Sequence, residues 1–506
     1  MSDFIPITVA YGDGIGPEIV EATIKILKQV EAPIRIESIE VGEKLYQKGY
    51  TSGISESTWE SISRTKVLLK GPITTPQGGG YKSLNVTIRK SLGLYANIRP
   101  VASYYPFVKT KHPVMDMVIV RENEEDLYAG IEYRHTANMY KSLKLVSSTG
   151  SEKIARYAFD FALKNNKKKI SCISKDNIMK FTDGIFHKIF DKVAQEYKNG
   201  DRGNLITDHY IVDIGAAKIA NSPEDFDVIV TSNLYGDIIS DIASECSGSV
   251  GLSGSGNIGD NYAMFEAIHG SAPAMAGKNS ANPSGLINAA VMMLVHLGLN
   301  EHAEKIENAL KKTIEDGIHT KDIYDDNKSS KKASTSEFAD AIIKRLGSKP
   351  EILKPAKYVY SDKDTEAQGN NKSSASVVMI DIPVAEKRLV GMDIFIDFKT
   401  SDVDEVLAKI IKITEKNTEN NLELYTISTK GLKLWPYYKK INLLSDHWCL
   451  RFKLKNDNKN NNGDNLQKSI FVDLLKDFSE NGIDFVSTEC LYEFDGSEGF
   501  SLSQSE

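Results

Sequence analysis

From residue 4 to about residue 347, short β-rich apolar runs alternate with segments whose apolar residues recur at helical spacing, the rhythm of an α/β protein. Ile5–Ala10, Ile34–Val41, Lys66–Leu69, Met117–Val120, Lys169–Ile173, His209–Val212 and Val228–Thr231 read as strands. Glu18–Glu31, Glu152–Asn165, Phe181–Tyr197, Asn282–Leu297 and Glu301–Asp316 read as amphipathic helices, with Gly298 and Asn300 as stop and restart between the last two.

The pattern breaks after Gly347. Residues 362–376 are polar around Gly369-Asn370-Asn371-Lys372-Ser373-Ser374, the composition of a flexible linker. A second globular pattern follows: strand Leu389–Phe398, helix Val403–Glu415, strands Leu422–Ser428 and Trp448–Lys453, helix Leu466–Asn481 and strand Asp484–Leu491. The order βαββαβ predicts a ferredoxin-like α+β domain, with Asn456–Asn465 as an exposed loop and Ser497–Glu506 as a polar tail. The expected division is a core over 1–347, a linker over 348–386, an extension domain over 387–496 and a tail over 497–506.

Composition adds limits rather than chemistry. The chain of 506 residues allows two to four domains, and 41% hydrophobic with 26% charged residues is ordinary for a globular protein. A net charge of −7 gives no general attraction to nucleic acid or to anionic membrane, so any anion site must be a local cluster of cations. Cys172, Cys246, Cys449 and Cys490 lie far apart without CxxC spacing and read as reduced thiols. The N-terminus enters a strand at once, without a basic leader, and no stretch has the apolar length of a membrane span. A cytoplasmic location is the expectation.

Gly12-Asp13-Gly14-Ile15-Gly16-Pro17-Glu18 follows the first strand and opens the first helix. Its spacing is not GxGxxG, and no acidic residue is well placed about 20 residues on, so it is not a dinucleotide fingerprint. It reads as a tight strand-to-helix turn with Pro17 at the first helical position.

The densest chemistry begins at Lys70. The run Lys70-Gly71-Pro72-Ile73-Thr74 continues through Gly78-Gly79-Gly80 to Ser83-Leu84-Asn85-Val86-Thr87-Ile88-Arg89, then Asn97-Ile98-Arg99 and Val120-Arg121. Arginine suits carboxylates because its planar fork donates two parallel hydrogen bonds. On one helical turn Ser83, Asn85 and Arg89 would face one ligand end. Farther on, Asp237 and Asp241 stand at i and i+4 after the Val228–Thr231 strand, an oxygen edge for Mg²⁺ or Mn²⁺ on one helix face.

These runs resemble the isocitrate and isopropylmalate dehydrogenases, the β-decarboxylating family. The resemblance covers residues 1–347 and implies that family's fold, which is not Rossmann: a large α/β domain over about 1–95 and 255–347, and a small dimerisation domain over about 96–254. It implies that Arg89, Arg99 and Arg121 hold the malate carboxylates, and that Ser83 and Asn85 contact the third carboxylate of isocitrate. The isopropylmalate enzymes are apolar at that stretch, and an unpaired carboxylate in an apolar pocket is strongly disfavoured. It also implies metal binding by Asp213, Asp237 and Asp241, proton transfer from the substrate hydroxyl by Lys175, and protonation of the product carbanion by Tyr128. Lys175 and Asp213 would come from the second chain of a homodimer with shared sites. Where relatives commonly have Ala or Gly, this chain has Asp176, and an acid there favours the charged lysine.

The run Glu266–Lys278, continuing to Asn282-Pro283, is similar to the family's adenosine-binding loop. The resemblance places His269, Gly270, Ser271, Ala272 and Asn282 at the cofactor, His269 and Asn282 toward adenine, with Thr74 beside the nicotinamide. Ala274-Met275 is neither the Lys-Tyr usual in NADP enzymes nor the acid-Ile of NAD enzymes. Lys321 and Asp325 stand where NADP enzymes carry Tyr and Arg, which gives a slight lean to NAD, with Lys278 and Lys321 as an alternative cradle for a 2′-phosphate.

The activity implied is metal-dependent oxidative decarboxylation of isocitrate to 2-oxoglutarate and CO₂ with reduction of NAD or NADP, a step of the tricarboxylic acid cycle. Rival readings are a homoisocitrate or isopropylmalate dehydrogenase and a non-catalytic regulatory subunit. Beyond Gly347, Arg388–Phe395 and Asp446-His447-Trp448 resemble the C-terminal extension of some bacterial members.

Overall fold

The computed structural model describes residues 4–50, 53–75, 83–200, 204–358, 383–419, 422–436, 443–455 and 464–504. The Gly78-Gly79-Gly80 loop, the polar run 362–376 and nearly all of the Asn-rich stretch expected as a loop lie outside the described residues. The chain forms two compact units. One comprises 1–128 and 145–380, the other 129–144 and 381–506.

The first unit is built on a ten-stranded mixed sheet. Its strands are β1 (Ile5–Ala10), β2 (Ile34–Ile39), β3 (Val67–Lys70), β4 (Ala96–Ala102) and β5 (Asp116–Glu122). After a hairpin of β6 (Glu132–Arg134) and β7 (Tyr140–Ser142), which belongs to the second unit, come β8 (Lys169–Ser174), β9 (Ile206–Ile211), β10 (Val228–Thr231), β11 (Gly254–Ile258) and β12 (Ala263–Ala267). The order is β2-β1-β3-β12-β11-β4-β5-β10-β8-β9.

Pairing is parallel toward both edges and antiparallel for β12/β11, β11/β4 and β4/β5 in the middle. That reversal separates the sheet from a doubly wound dinucleotide fold. The middle strands are also the polar ones. Lys70 on β3 pairs in register with Glu266 on β12, Asn257 on β11 with Asn97 on β4, and Asn97 with Arg121 on β5. Charged and amide side chains thus stand side by side at the centre of a sheet whose flanks are apolar.

Among the described residues four apolar cores hold this arrangement, and the two largest show how the helices meet the sheet. Ile19, Leu27, Leu286, Leu294 and Leu310, from helices Gly16–Gln29, Ser284–His296 and Asn300–Glu315, pack on β1, β3 and β12. Phe159, Phe186 and Phe190, from helices Ser148–Lys164 and Thr182–Asn199, pack on β5, β8 and β10. Among the described residues no helix is long and apolar enough to cross a membrane. The Gly12–Pro17 turn is a strand-to-helix junction as expected, with one shift: Gly16 is the first helical residue and Pro17 the second.

In the second unit the strands run in the order Leu432–Trp435, Leu422–Thr429, Ser445–Leu454, Lys387–Thr400, Phe485–Phe494, Ser497–Glu498, all antiparallel. Without the short first and last strands this is the ferredoxin-like order, and helices Val403–Glu419 and Asp464–Glu480 supply Ile410, Phe471 and Phe478 to a core around Trp448 and Phe452. The β6–β7 hairpin packs here. Thr136 donates to Asp446 at 2.6 Å, His135 Nδ1 lies 3.0 Å from His447 Nε2, and Lys141 bonds Glu489 at 2.6 Å.

Candidate functional site

Helix Leu84–Ser91 starts after Ser83, whose side chain makes no cap bond and whose Oγ instead accepts the Thr75 hydroxyl at 3.2 Å. Asn85 and Arg89 follow one helical turn apart, as the spacing predicts. Arg89 Nη2 donates to Glu266 Oε1 at 2.8 Å. Among the described residues the buried Arg89 Nε and Asn85 Oδ1 have no hydrogen-bond partner. Unpaired buried polar atoms are costly; a ligand carboxylate would satisfy the Arg89 Nε donor, whereas the Asn85 amide can meet a carboxylate only through its NH₂.

Glu266 also receives Lys70, Nζ to Oε2 at 2.7 Å. Burial pushes the Glu266 carboxyl up, but Lys70 and Arg89 together outweigh it and hold the group well below the usual carboxylate range. It is a fixed anion that orients two cations. The Asn257 amide adds a third bond at 3.0 Å.

The second half of the site comes from β4, β5 and helix Asn233–Ser247. Arg99 Nε donates to Asn97 Oδ1 at 2.6 Å and Nη1 to Ser240 at 2.6 Å, while Nη2 lies 3.1 Å from Asp237 Oδ1. Arg121, fully buried, donates Nη1 to Asp237 Oδ1 at 2.6 Å and grips Asn233 through Nε and Nη2. Burial, together with Arg99, pushes the Arg121 guanidinium down to about 10. This approach needs Gly236: a Cβ there would stand 2.5 Å from Arg121 Cγ. Tyr128 donates to Asp237 Oδ2 at 2.5 Å, with the Arg121 guanidinium 4.8 Å from its ring centroid. Burial raises the Tyr128 phenol, so it is protonated and able to act as an acid.

Asp237 and Asp241 share the helix face that Arg99 approaches, the latter at 3.7 Å. Burial raises the Asp237 carboxyl, but Arg121 and Arg99 win and lower it; burial raises Asp241, which is more than half exposed. These carboxylates are an all-oxygen donor set that fits a hard divalent cation. Asp213 stands apart from the pair, in the first turn of helix Val212–Asn221, where Lys175 Nζ bonds its Oδ1 at 2.5 Å. Lys175 directly follows β8, and its backbone N–H is held by Asp183 at 2.6 Å.

The loop after β12 is fixed by Gly14. Its φ is +60°, and a Cβ there would lie 2.0 Å from Ser271 O, which accepts the Ile15 N–H at 2.9 Å. Ser271 Oγ lies 2.8 Å from Thr74 Oγ1, and Asp13 accepts the Thr74 N–H at 3.0 Å. The residues expected at the nicotinamide and in the adenosine loop therefore touch. Gly270 is exposed, and Ala272 takes a left-handed φ of +39°. His269 Nε2 is buried without a partner among the described residues, an open position suited to a purine edge. Asn282 is tied internally, Nδ2 to Asp322 at 2.9 Å and Oδ1 to the Ser284 N–H at 2.9 Å.

Sequence reasoning assigned no role to Glu266, Asn97, Asn257, Asn233, Ser240 or Asp13. For Glu266 the signal was present: one carboxylate in Ala263-Met264-Phe265-Glu266-Ala267 requires a buried cation.

Residues 6–342 match the family model described as isocitrate/isopropylmalate dehydrogenase, and residues 387–506 match the bacterial isocitrate dehydrogenase C-terminal domain. The chain is 58% identical over 506 residues, all of both chains, to a Rickettsia bellii protein named isocitrate dehydrogenase [NADP]. A Thermus thermophilus protein of the same name is 40% identical, with 99% of this chain and 96% of that one covered. A crystal structure of the TT0538 protein from Thermus thermophilus superposes with a TM-score of 0.87 at 39% identity, again over 99% and 96% of the two chains. These names remove the lean to NAD. The lean rested on Asp325, whose Oδ1 accepts the Asn327 N–H at 2.9 Å within its own turn; the exposed Lys278 and Lys321 are the cations that offer a 2′-phosphate the alternative cradle.

Proposed function

The chain belongs to the isocitrate/isopropylmalate dehydrogenase family and carries the bacterial isocitrate dehydrogenase C-terminal domain; on that premise we propose that it oxidises and decarboxylates isocitrate with NADP. One observation carries the reading. Arg89, Arg99 and Arg121 converge from one helix and two adjacent strands, and the start of that helix adds Ser83, just before it, and Asn85 in its first turn, a match for three carboxylates on one small molecule. An apolar substrate tail would leave the buried Arg89 Nε donor and the Asn85 amide without a partner from the ligand.

Asp237 and Asp241, with Asp213, would hold Mg²⁺ or Mn²⁺, which when bound supplies positive charge for the substrate hydroxyl and for the charge left by CO₂ loss, while the nicotinamide accepts the hydride. The arginines bind and orient the carboxylates. Lys175, whose Nζ is positioned by Asp213 Oδ1 at 2.5 Å, takes the hydroxyl proton. Tyr128 delivers a proton to C3 after CO₂ leaves. Its hydrogen bond to Asp237 fixes the phenol on the metal-binding side of the site.

Lys175 and Asp213 bond each other rather than standing within the arginine cluster, which supports a homodimer in which each subunit completes its partner's site. Free cysteines and the net charge fit a cytoplasmic enzyme with no nucleic-acid or membrane partner. The test is turnover of purified full-length chain on isocitrate with Mn²⁺ and NADP or NAD. Manganese-dependent production of NADPH is expected; faster turnover of isopropylmalate, or none of isocitrate, overturns the reading.

A further inference from the structure

Asp176 is where the Lys175 segment departs from the family pattern, and the reaction gives it no task. We propose that Asp176, His187 and His209 form a second metal site, one that takes a borderline transition ion such as zinc, cobalt(II) or nickel(II) and is separate from the aspartate-only site. Asp176 follows β8, His187 lies in helix Thr182–Asn199, and His209 lies on β9, paired in register with Cys172 of β8. His187 Nδ1 is 2.7 Å from Asp176 Oδ2, and His209 Nε2 is 3.8 Å from Asp176 Oδ1. One ligand atom from each of the three residues lies within 4.8 Å of the others.

Packing alone does not account for the group. The two imidazoles lie face to face, with centroids 3.6 Å apart and planes 13° from parallel, yet their side chains are 25% and 20% exposed and belong to no apolar core. Two nitrogens and one carboxylate form a donor set that prefers zinc, cobalt or nickel to magnesium. The far nitrogen of His187 faces Asp191 at 3.5 Å, the carboxylate–histidine arrangement that orients a ligating ring. Ser174 Oγ lies 2.8 Å from His209 Nε2, and an ion would displace it there.

A tetrahedral zinc site sets its ligand atoms about 3.3 Å apart, given bonds of about 2.0–2.1 Å. The Asp176–His187 contact must therefore lengthen, and one ring must turn out of the stack so that both in-plane lone pairs meet the ion. Because Asp176 directly follows Lys175, occupancy fixes the turn from which Lys175 reaches Asp213.

Full-length protein stripped with a chelator and resupplied with saturating magnesium is titrated with zinc in a calorimeter. One equivalent per chain is expected. Its affinity should fall about tenfold or more in His187→Gln and in His209→Gln, about tenfold in Asp191→Asn, and stay unchanged in Asp237→Asn. No histidine-dependent equivalent, or loss of the equivalent in Asp237→Asn, overturns the proposal. If the histidine variants do not fold, X-ray absorption of the zinc-loaded wild-type protein decides: two imidazole ligands support the site, and an oxygen-only shell ends it.

Discussion

Arg89 Nη2 meets Glu266 Oε1 at 2.8 Å across 177 positions of chain, and that contact sets the direction of the guanidinium to which the proposed function assigns a substrate carboxylate. Glu266 is buried and shared with Lys70, so each partner's charge is compensated only while all three are present.

Glu266→Gln should destabilise the protein by about 3–5 kcal/mol, because two buried cations lose their anion. Thermal or urea unfolding at neutral pH measures this. The wild-type contribution has a defined sign. The native carboxyl lies below its unfolded value of 4.5, so the stabilisation is complete above that pH and is lost as pH falls through the lower native value. An unchanged melting temperature in the variant would refute the role given to Glu266.

Ser83→Val and Asn85→Leu should each weaken hydrogen bonding to a charged carboxylate by about 1.5–3 kcal/mol, roughly ten- to a hundredfold in kcat/KM for isocitrate. The loss should appear mainly in KM. Equal kcat/KM in variant and wild type would remove these residues from substrate recognition.

Gly236→Ala sets two effects against each other. Helix propensity favours alanine by about 1 kcal/mol, while forcing a methyl against Arg121 costs about 1–3 kcal/mol. The clash distance of 2.5 Å and full burial of Arg121 make the second term win. Lower thermal stability together with a raised KM for isocitrate is expected; a more stable variant with normal KM would show that Arg121 yields without cost.

Burial pushes the Glu122 carboxyl up to about 7, although the N–H groups of Glu124 and Glu125 pull it down. The native state therefore holds the proton more tightly than the unfolded chain, and stability falls as pH rises from about 4.5 to 7. Glu122→Gln keeps an oxygen for both N–H groups and should raise stability above pH 7 by up to about 3 kcal/mol, flattening the pH profile. Parallel profiles for the two proteins would contradict this.

Lys175→Met and Asp237→Asn should each be nearly inactive alone. If subunits share sites, unfolding and refolding the two together should restore about a quarter of wild-type activity through mixed dimers with one intact site. No recovery would place both residues in one subunit's site.

Elements with a strong apolar period were legible to within a few residues: β1, β10 and the helix Ser284–His296 are close to their expected spans. Within the ten-stranded sheet the missing strands were β4, β11 and β12, and their character explains it. Gly254-Ser255-Gly256-Asn257-Ile258 has almost no apolar signal, because its stability comes from pairing on both sides and from an amide network reached only in three dimensions. β4 interrupts its apolar alternation with Asn97 and Arg99, which serve the site. The residues proposed to bind substrate were readable as candidates because they recur in a known pattern. Among the supporting residues, Glu266 carried a local signal as a lone carboxylate in an apolar strand, whereas Asn233 and Ser240 did not, since nothing local marks which buried polar group a distant arginine will find.

The hairpin of β6 and β7 carries a consequence for inheritance. It sits in the chain between Tyr128 and helix Ser148–Lys164, yet its contacts are with Asp446, His447 and Glu489. The C-terminal unit is therefore written in two separate stretches of the gene. A stop codon after position 380 would not delete a cassette; it would leave Ala129–Lys144 as a fragment of a structure whose remainder is gone. Any transplant of this unit into a shorter relative must carry both stretches, and substitutions in one stretch constrain what the other can tolerate.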